Sequence, residues 1–147
     1  MEAALRQAQM AADSGEVPIG AVVVCRDRIV ATGHNMTETL GDPTAHAEMI
    51  ALTAACDAVG GKYLNDCTLY VTVEPCPMCA AALGWAQLGR LVYGASDPKR
   101  GYSQFRMTDA DGNATAKTLL HPKTTVTSGI LQEQCSQLVK DFFTGKR

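Results

Sequence analysis

A chain of 147 residues and 15.6 kDa is near the length at which one folded domain buries about two-thirds of the surface its unfolded chain exposes, so residues 1–147 are expected to form a single domain. The net charge of −2 and pI of about 5.9 argue against strong non-specific binding to nucleic acid, which goes with a basic domain. The longest uncharged run, residues 75–89, is shorter than the roughly 20 residues a membrane helix needs, and Glu2 stands where an export signal carries basic residues. A cytoplasmic protein that spans no membrane is expected, with its six cysteines kept as thiols.

In chain order, residues 3–14 read as an Ala-rich helix. Residues 20–25 and 28–32 read as two strands of an antiparallel hairpin turning at Arg26-Asp27. Asp42-Pro43-Thr44 supplies a proline and a capping threonine ahead of a helix over 45–59, which Gly60-Gly61 stops. A strand over 68–73, a helix over 76–88 and a strand over 91–94 form a strand–helix–strand crossover, which calls for a parallel pair. A short strand at 124–127 and a helix from 130 to about 143 complete a three-layer α/β/α domain.

Two of these helices begin on chemically loaded residues: His46-Ala47-Glu48 and Pro75-Cys76-Pro77-Met78-Cys79. One His and two Cys are a three-ligand set for zinc, which leaves the fourth tetrahedral position open, as in a catalytic site. Zinc brings the pKa of a bound water toward about 7, and a proton carrier must then serve it. Glu48 is the candidate carrier, provided His46 and Glu48 both lie in a first helical turn with the metal near the end of the axis. Helix N-termini at Cys76 and at residue 45 would favour thiolates over thiols.

Blander readings exist for each part. A Cys-x-x-Cys pair serves redox chemistry, but redox has no use for His-Ala-Glu 30 residues upstream. A closed structural zinc site needs a fourth ligand from His34, His121, Cys25, Cys56, Cys67 or Cys135, and it leaves Glu48 without a purpose. Those four cysteines read better as core: Cys56 falls on the stripe Met49, Leu52, Cys56, Val59, and Cys135 on Leu131, Cys135, Leu138, Phe142.

The stretch 75–89 is apolar all round, with Met78, Leu83, Trp85 and Leu88, so every side must be covered, by the monomer or by a second subunit. Charge is uneven. Residues 1–97 carry 5 Lys/Arg against 11 Asp/Glu, whereas residues 98–147 carry 8 against 4. A polyanion would meet the C-terminal third, where Lys99-Arg100 follows a strand at a sheet end of the kind that lines ligand crevices.

The motif His-x-Glu with Pro-Cys-x-x-Cys resembles the zinc-dependent nucleobase deaminases. Pro18-Ile19-Gly20-Ala21, Gly33-His34-Asn35, Pro43-Thr44-Ala45-His46-Ala47-Glu48, residues 69–76 and Gly94-Ala95-Ser96-Asp97-Pro98-Lys99 together resemble the bacterial tRNA-specific adenosine deaminases. The resemblance implies a cytidine-deaminase-like sandwich around a mixed sheet of about five strands. It also implies a homodimer with one Zn2+ per chain, converting the wobble adenosine of a tRNA anticodon loop to inosine. By position it implies metal ligands His46, Cys76 and Cys79, with Glu48 as the catalytic proton shuttle. Asn35 would hydrogen-bond the flipped purine, and Ala45 and Cys76 would offer backbone groups near the attacking water. Asp97 would contact ribose, Lys99 and Arg100 phosphates, and Phe143 the anticodon loop.

The chain departs from that family at Tyr102-Ser103-Gln104-Phe105-Arg106, at the polar run 108–115 and after His121-Pro122. The zinc chemistry is untouched by these changes, but the deviating segment should face the polynucleotide. A deaminase of a free base or nucleoside such as guanine or cytidine, and a non-catalytic zinc module, are the competing readings.

Overall fold

The computed structural model describes residues 1–146. Helix α1 (Glu2–Asp13) turns an alanine stripe, Ala4, Ala8 and Ala11, inward. Strands β1 (Gly20–Cys25) and β2 (Arg28–His34) form the expected antiparallel hairpin. Both turn residues, Arg26 and Asp27, take positive φ, which gives the turn a twist that matches the strands. A one-turn helix, α2 (Thr37–Leu40), precedes α3 (Ala47–Val59). Then come β3 (Cys67–Val73), α4 (Pro77–Trp85) and β4 (Arg90–Ala95), followed by a 3-10 turn at Tyr102–Gln104, β5 (Thr125–Thr127) and α5 (Gln132–Gly145).

The five strands form one mixed sheet in the order β2-β1-β3-β4-β5. β1 pairs antiparallel with β2 and β3, whereas β3, β4 and β5 run parallel. Central strands covered on both faces carry continuous apolar runs rather than alternation, as Ala21-Val22-Val23 and Leu91-Val92 do, all buried. Helices α1 and α5 pack together on one face, α3 and α4 together on the other, which gives the expected three layers.

Two helices lie very close to the sheet. A Cβ at Gly20 would collide with the backbone of Ala4 and Ala8, and one at Gly33 with the backbone of Ala47 and Ala51. Strands β2, β3 and β4 all end at one edge of the sheet, since Gly20 pairs with His34 and Val73 with Ala95. Helices α3 and α4 begin at that edge, so their first turns face one crevice.

Several expectations need correction. Thr44 is not the cap of α3: its amide and hydroxyl both donate to Asp42 Oδ1 (2.8 and 2.7 Å), and His46 occupies the N-cap position. Helix α4 starts one residue later than expected and ends at Trp85, because Gln87 takes a φ of 53°. The face of α3 turned to the sheet is Ala47, Ala51 and Ala55 with Glu48. Leu52 and Cys56 flank it, and Val59 is exposed. The thiol expectation fails for one pair: Cys25 and Cys67 form a disulfide. They are register partners in the β1–β3 ladder, with Cα atoms 4.4 Å apart, within the span a bridge requires. Both remain in the core, as does buried Cys135. Among the described residues, no helix is long and apolar enough to cross a membrane.

Candidate active site

His46 and Cys76 are the N-cap residues of α3 and α4, each in extended backbone conformation. Pro77 follows at the first helical position, where its missing N–H costs nothing, and Cys79 lies one turn in. His46 Nδ1 is 3.6 Å from Cys76 Sγ and 3.5 Å from Cys79 Sγ. These three ligand atoms lie within 4.8 Å of one another, and they form the one such group among the described residues.

The donor chemistry fits zinc: one imidazole nitrogen and two sulfurs, with one of four tetrahedral positions left for a non-protein ligand. None of the six alternative fourth ligands joins this group, free Cys56 and Cys135 included, and the other four have partners elsewhere. Cys25 and Cys67 bind each other, His34 Nδ1 meets Gln7 Oε1 at 3.2 Å, and His121 Nδ1 accepts from Lys123 N at 3.1 Å. The Pro43 backbone also favours the protonated ring of His46, the smallest of the influences on it.

The electrostatics at these residues are strongly perturbed. Hydrogen bonds from Cys79 and then from His46 hold the Cys76 thiol down at about 4, so Cys76 is a thiolate at neutral pH. Cys79 is pushed far up by that same bond to Cys76 and by burial. His46 is raised, chiefly by its bond to Cys76. Glu48, at the second position of α3 and 4% exposed, is pushed up to about 7, first by burial. A carboxyl that titrates near neutrality beside an open metal position is matched to proton transfer.

The crevice above these residues encloses about 670 Å3 and is lined by His46 and Cys76 with Met78, Lys99, Arg100 and Phe105. Lys99 and Arg100 therefore stand at the mouth, as the sequence suggests. Asp97 shapes their turn: its Oδ1 accepts from Lys99 N (3.0 Å) and Arg100 N (2.9 Å). Asn35 is buried at the end of β2, and the amide of the next residue, Met36, donates to Ala45 O at 3.0 Å. The Ala45 amide already donates to Asp42 O at 3.1 Å. Phe143 is not brought to the crevice. It is exposed on α5 and stacks edge-on against Phe142, with ring centroids 5.4 Å apart.

Sequence reasoning missed two buried carboxylates that brace the walls. Glu16, 1% exposed, accepts from Thr39 N (2.6 Å), Thr39 Oγ1 (2.9 Å), Glu38 N (3.2 Å), Thr37 Oγ1 (3.4 Å) and Asn35 Nδ2 (3.4 Å). Burial raises its pKa, but the bonds from Thr39, Glu38 and Thr37 outweigh burial and hold the carboxyl low. Glu74 accepts from Asp97 N (2.9 Å) and Ser103 N (3.3 Å). The available signal was an acidic residue inside an apolar stretch, Glu16-Val17-Pro18-Ile19 and Val73-Glu74-Pro75.

The family model for the cytidine and deoxycytidylate deaminase zinc-binding region matches residues 1–95. The tRNA-specific adenosine deaminase of Bacillus subtilis is 42% identical over 143 residues, 97% of this chain and 86% of the relative. A solved structure of a tRNA:A34 deaminase, studied for A-to-I editing at the wobble position, superposes with a TM-score of 0.80 at 39% identity, covering 94% of this chain and 96% of that one. The guanine deaminase of Bacillus subtilis superposes at 0.62 with 41% identity, over 65% of this chain and 61% of its own. Motif, donor set and full-length likeness converge: the chain belongs to the zinc-dependent cytidine and deoxycytidylate deaminase family and, within it, to the tRNA-specific adenosine deaminases.

Proposed function

We propose that the protein hydrolytically deaminates adenosine to inosine at the wobble position of a tRNA anticodon, acting as one deaminase domain over residues 1–147. The observation that carries this is a buried carboxyl, Glu48, within one helical turn of a three-donor metal site, under a mouth lined by Lys99 and Arg100. A free base has no phosphates for those cations to hold.

His46, Cys76 and Cys79 hold the zinc. When bound, the metal supplies Lewis acidity that lets a water ionise near neutral pH at the attack position. Glu48 takes a proton from the attacking water and delivers it to the ring nitrogen beside C6. Oxygen bonds to C6 as that proton arrives; Glu48 then takes the second proton of the former water from the C6 hydroxyl and gives it to N6, so that the C6–N6 bond breaks, the C6 carbonyl forms and the amine leaves as ammonia. Asn35, fixed by Glu16, hydrogen-bonds the purine, the backbone of Ala45 and Cys76 lines the attack site, and Asp97 contacts ribose. Lys99 and Arg100 contact phosphates, so binding weakens as salt rises. An anticodon-loop base is already unpaired, which lowers the few kcal/mol that flipping costs.

The enzyme works in the cytoplasm as a homodimer. The uncharged helix α4 leaves Trp85 85% exposed, beside a groove of about 350 Å3 lined by Ala81, Leu119 and Pro122, which supports a subunit interface.

The test is to sequence the wobble position of tRNA after incubation with the zinc-loaded protein, beside a free-nucleoside and free-base assay. Inosine in tRNA is expected, with turnover falling as salt rises. Robust turnover of guanine or cytidine with no inosine in tRNA would overturn the proposal in favour of a free-base deaminase.

A further inference from the structure

Phe105 is an apolar side chain in a place where the core gives it no reason to be. It is 53% exposed, stands outside the hydrophobic core cluster, and lines the crevice that His46, Cys76, Lys99 and Arg100 share. Among the described residues it is the one Phe, Tyr or Trp on that crevice, whose other aromatic ring is that of the metal ligand His46. The other exposed rings are accounted for. Tyr63 carries the ammonium of Lys62 at 5.2 Å, Phe143 packs on Phe142, and Trp85 belongs to the α4 surface.

The segment that presents Phe105 is anchored to the site itself. Tyr102, buried, donates its amide to Pro75 O at 2.8 Å, the residue directly before the metal ligand Cys76. Glu74 accepts from Ser103 N, and Phe105 N closes the 3-10 turn onto Tyr102 O at 3.1 Å. The ring is thus carried on a turn tied to the strand end that positions Cys76, and its neighbours at the mouth are two cations. An aromatic face set among cations is the arrangement that binds single-stranded nucleic acid: cations follow the backbone, and a base stacks on the ring whatever its identity. Once the target adenosine has flipped into the crevice, the base next to it loses a stacking partner.

We propose that Phe105 is a substrate-binding residue that stacks on a base flanking the flipped adenosine and so sets the local context the enzyme accepts. This rests on the tRNA reading above and deepens it, and it gives a function to the segment in which this chain departs from its relatives' pattern.

The experiment compares the zinc-loaded wild type with Phe105→Ala, Phe105→Leu and Phe105→Trp on two anticodon stem-loops. One is intact and one is abasic at both positions flanking the target. Zinc content and thermal melting are read for every variant. Loss of one base–aromatic stack should raise the KM of Phe105→Ala on the intact RNA by about 5- to 150-fold, with kcat and zinc unchanged. Phe105→Trp should restore binding, Phe105→Leu should not, and all four proteins should behave alike on the abasic RNA. A KM for Phe105→Ala within twofold of wild type, or full rescue by leucine, would overturn the proposal while leaving the tRNA reading intact. No inosine from the wild type on the intact stem-loop would overturn both.

Discussion

Replacing Glu16 by glutamine changes one carboxylate oxygen into an amide and almost nothing in volume, so its effect isolates the hydrogen bonds. The best orientation keeps oxygen towards Thr39, whose amide and hydroxyl make the two shortest bonds. The NH2 group then faces Glu38 N and Asn35 Nδ2, both donors, and neither can turn into an acceptor. Hydrogen bonds to a charged group contribute roughly 1.5–3 kcal/mol each, and the lost ones here are the longer ones, so we expect a loss of about 2–3 kcal/mol. For a chain of this size that corresponds to a fall in Tm of about 4–12 °C.

Urea unfolding of both proteins at pH 7 measures this loss, and a pH series tests its cause. The folded-state pKa of Glu16 is depressed below 4.5. Its contribution is therefore fully present above that value and disappears as the pH falls through the lowered one. The gap between the proteins should be widest at neutral pH and close in acid. A gap under 0.5 kcal/mol at neutral pH, or one that persists unchanged in acid, would refute the bracing role.

Glu48→Gln should retain close to one zinc per chain by elemental analysis while kcat falls by about 10²–10⁴-fold, the usual contribution of positioned proton transfer; near-normal turnover in the metal-replete variant would assign the proton to another group. Trp85→Ala should weaken self-association at least about 30-fold, the effect of losing an interface anchor, with little change in the far-UV spectrum. Sedimentation showing wild-type protein already monomeric at micromolar concentration would remove α4 as the interface.

The metal site was readable because its information is local. His46, Cys76 and Cys79 come from two short motifs whose spacing alone fixes donor types, and both motifs sit at helix starts that proline and periodicity announce. The Cys25–Cys67 bridge was not readable. It depends on the register in which β1 meets β3, a tertiary fact that two cysteines 42 positions apart in sequence do not encode locally. Glu16 and Glu74 were missed for a related reason, because a carboxylate satisfied by backbone amides of another segment leaves no charged partner to notice. The helix boundaries erred where a side chain had a better local partner, as Thr44 does in Asp42.

The alanine stripes of α1 and α3, pressed against Gly20 and Gly33 on opposite faces of the sheet, leave neither face room for added bulk at those contacts. At such contacts there is no bulk to trim, so truncation leaves hardly any void. A single added methyl must push two main chains apart, and on α3 that shift carries His46 and Glu48 with it. Heritable variation that alters the substrate is therefore channelled away from the helices that bear the chemistry. It is directed to the exposed positions of the turn between Asp97 and Phe105, such as Lys99, Arg100 and Gln104, whereas buried Gly101 and Tyr102 within it have no room to change.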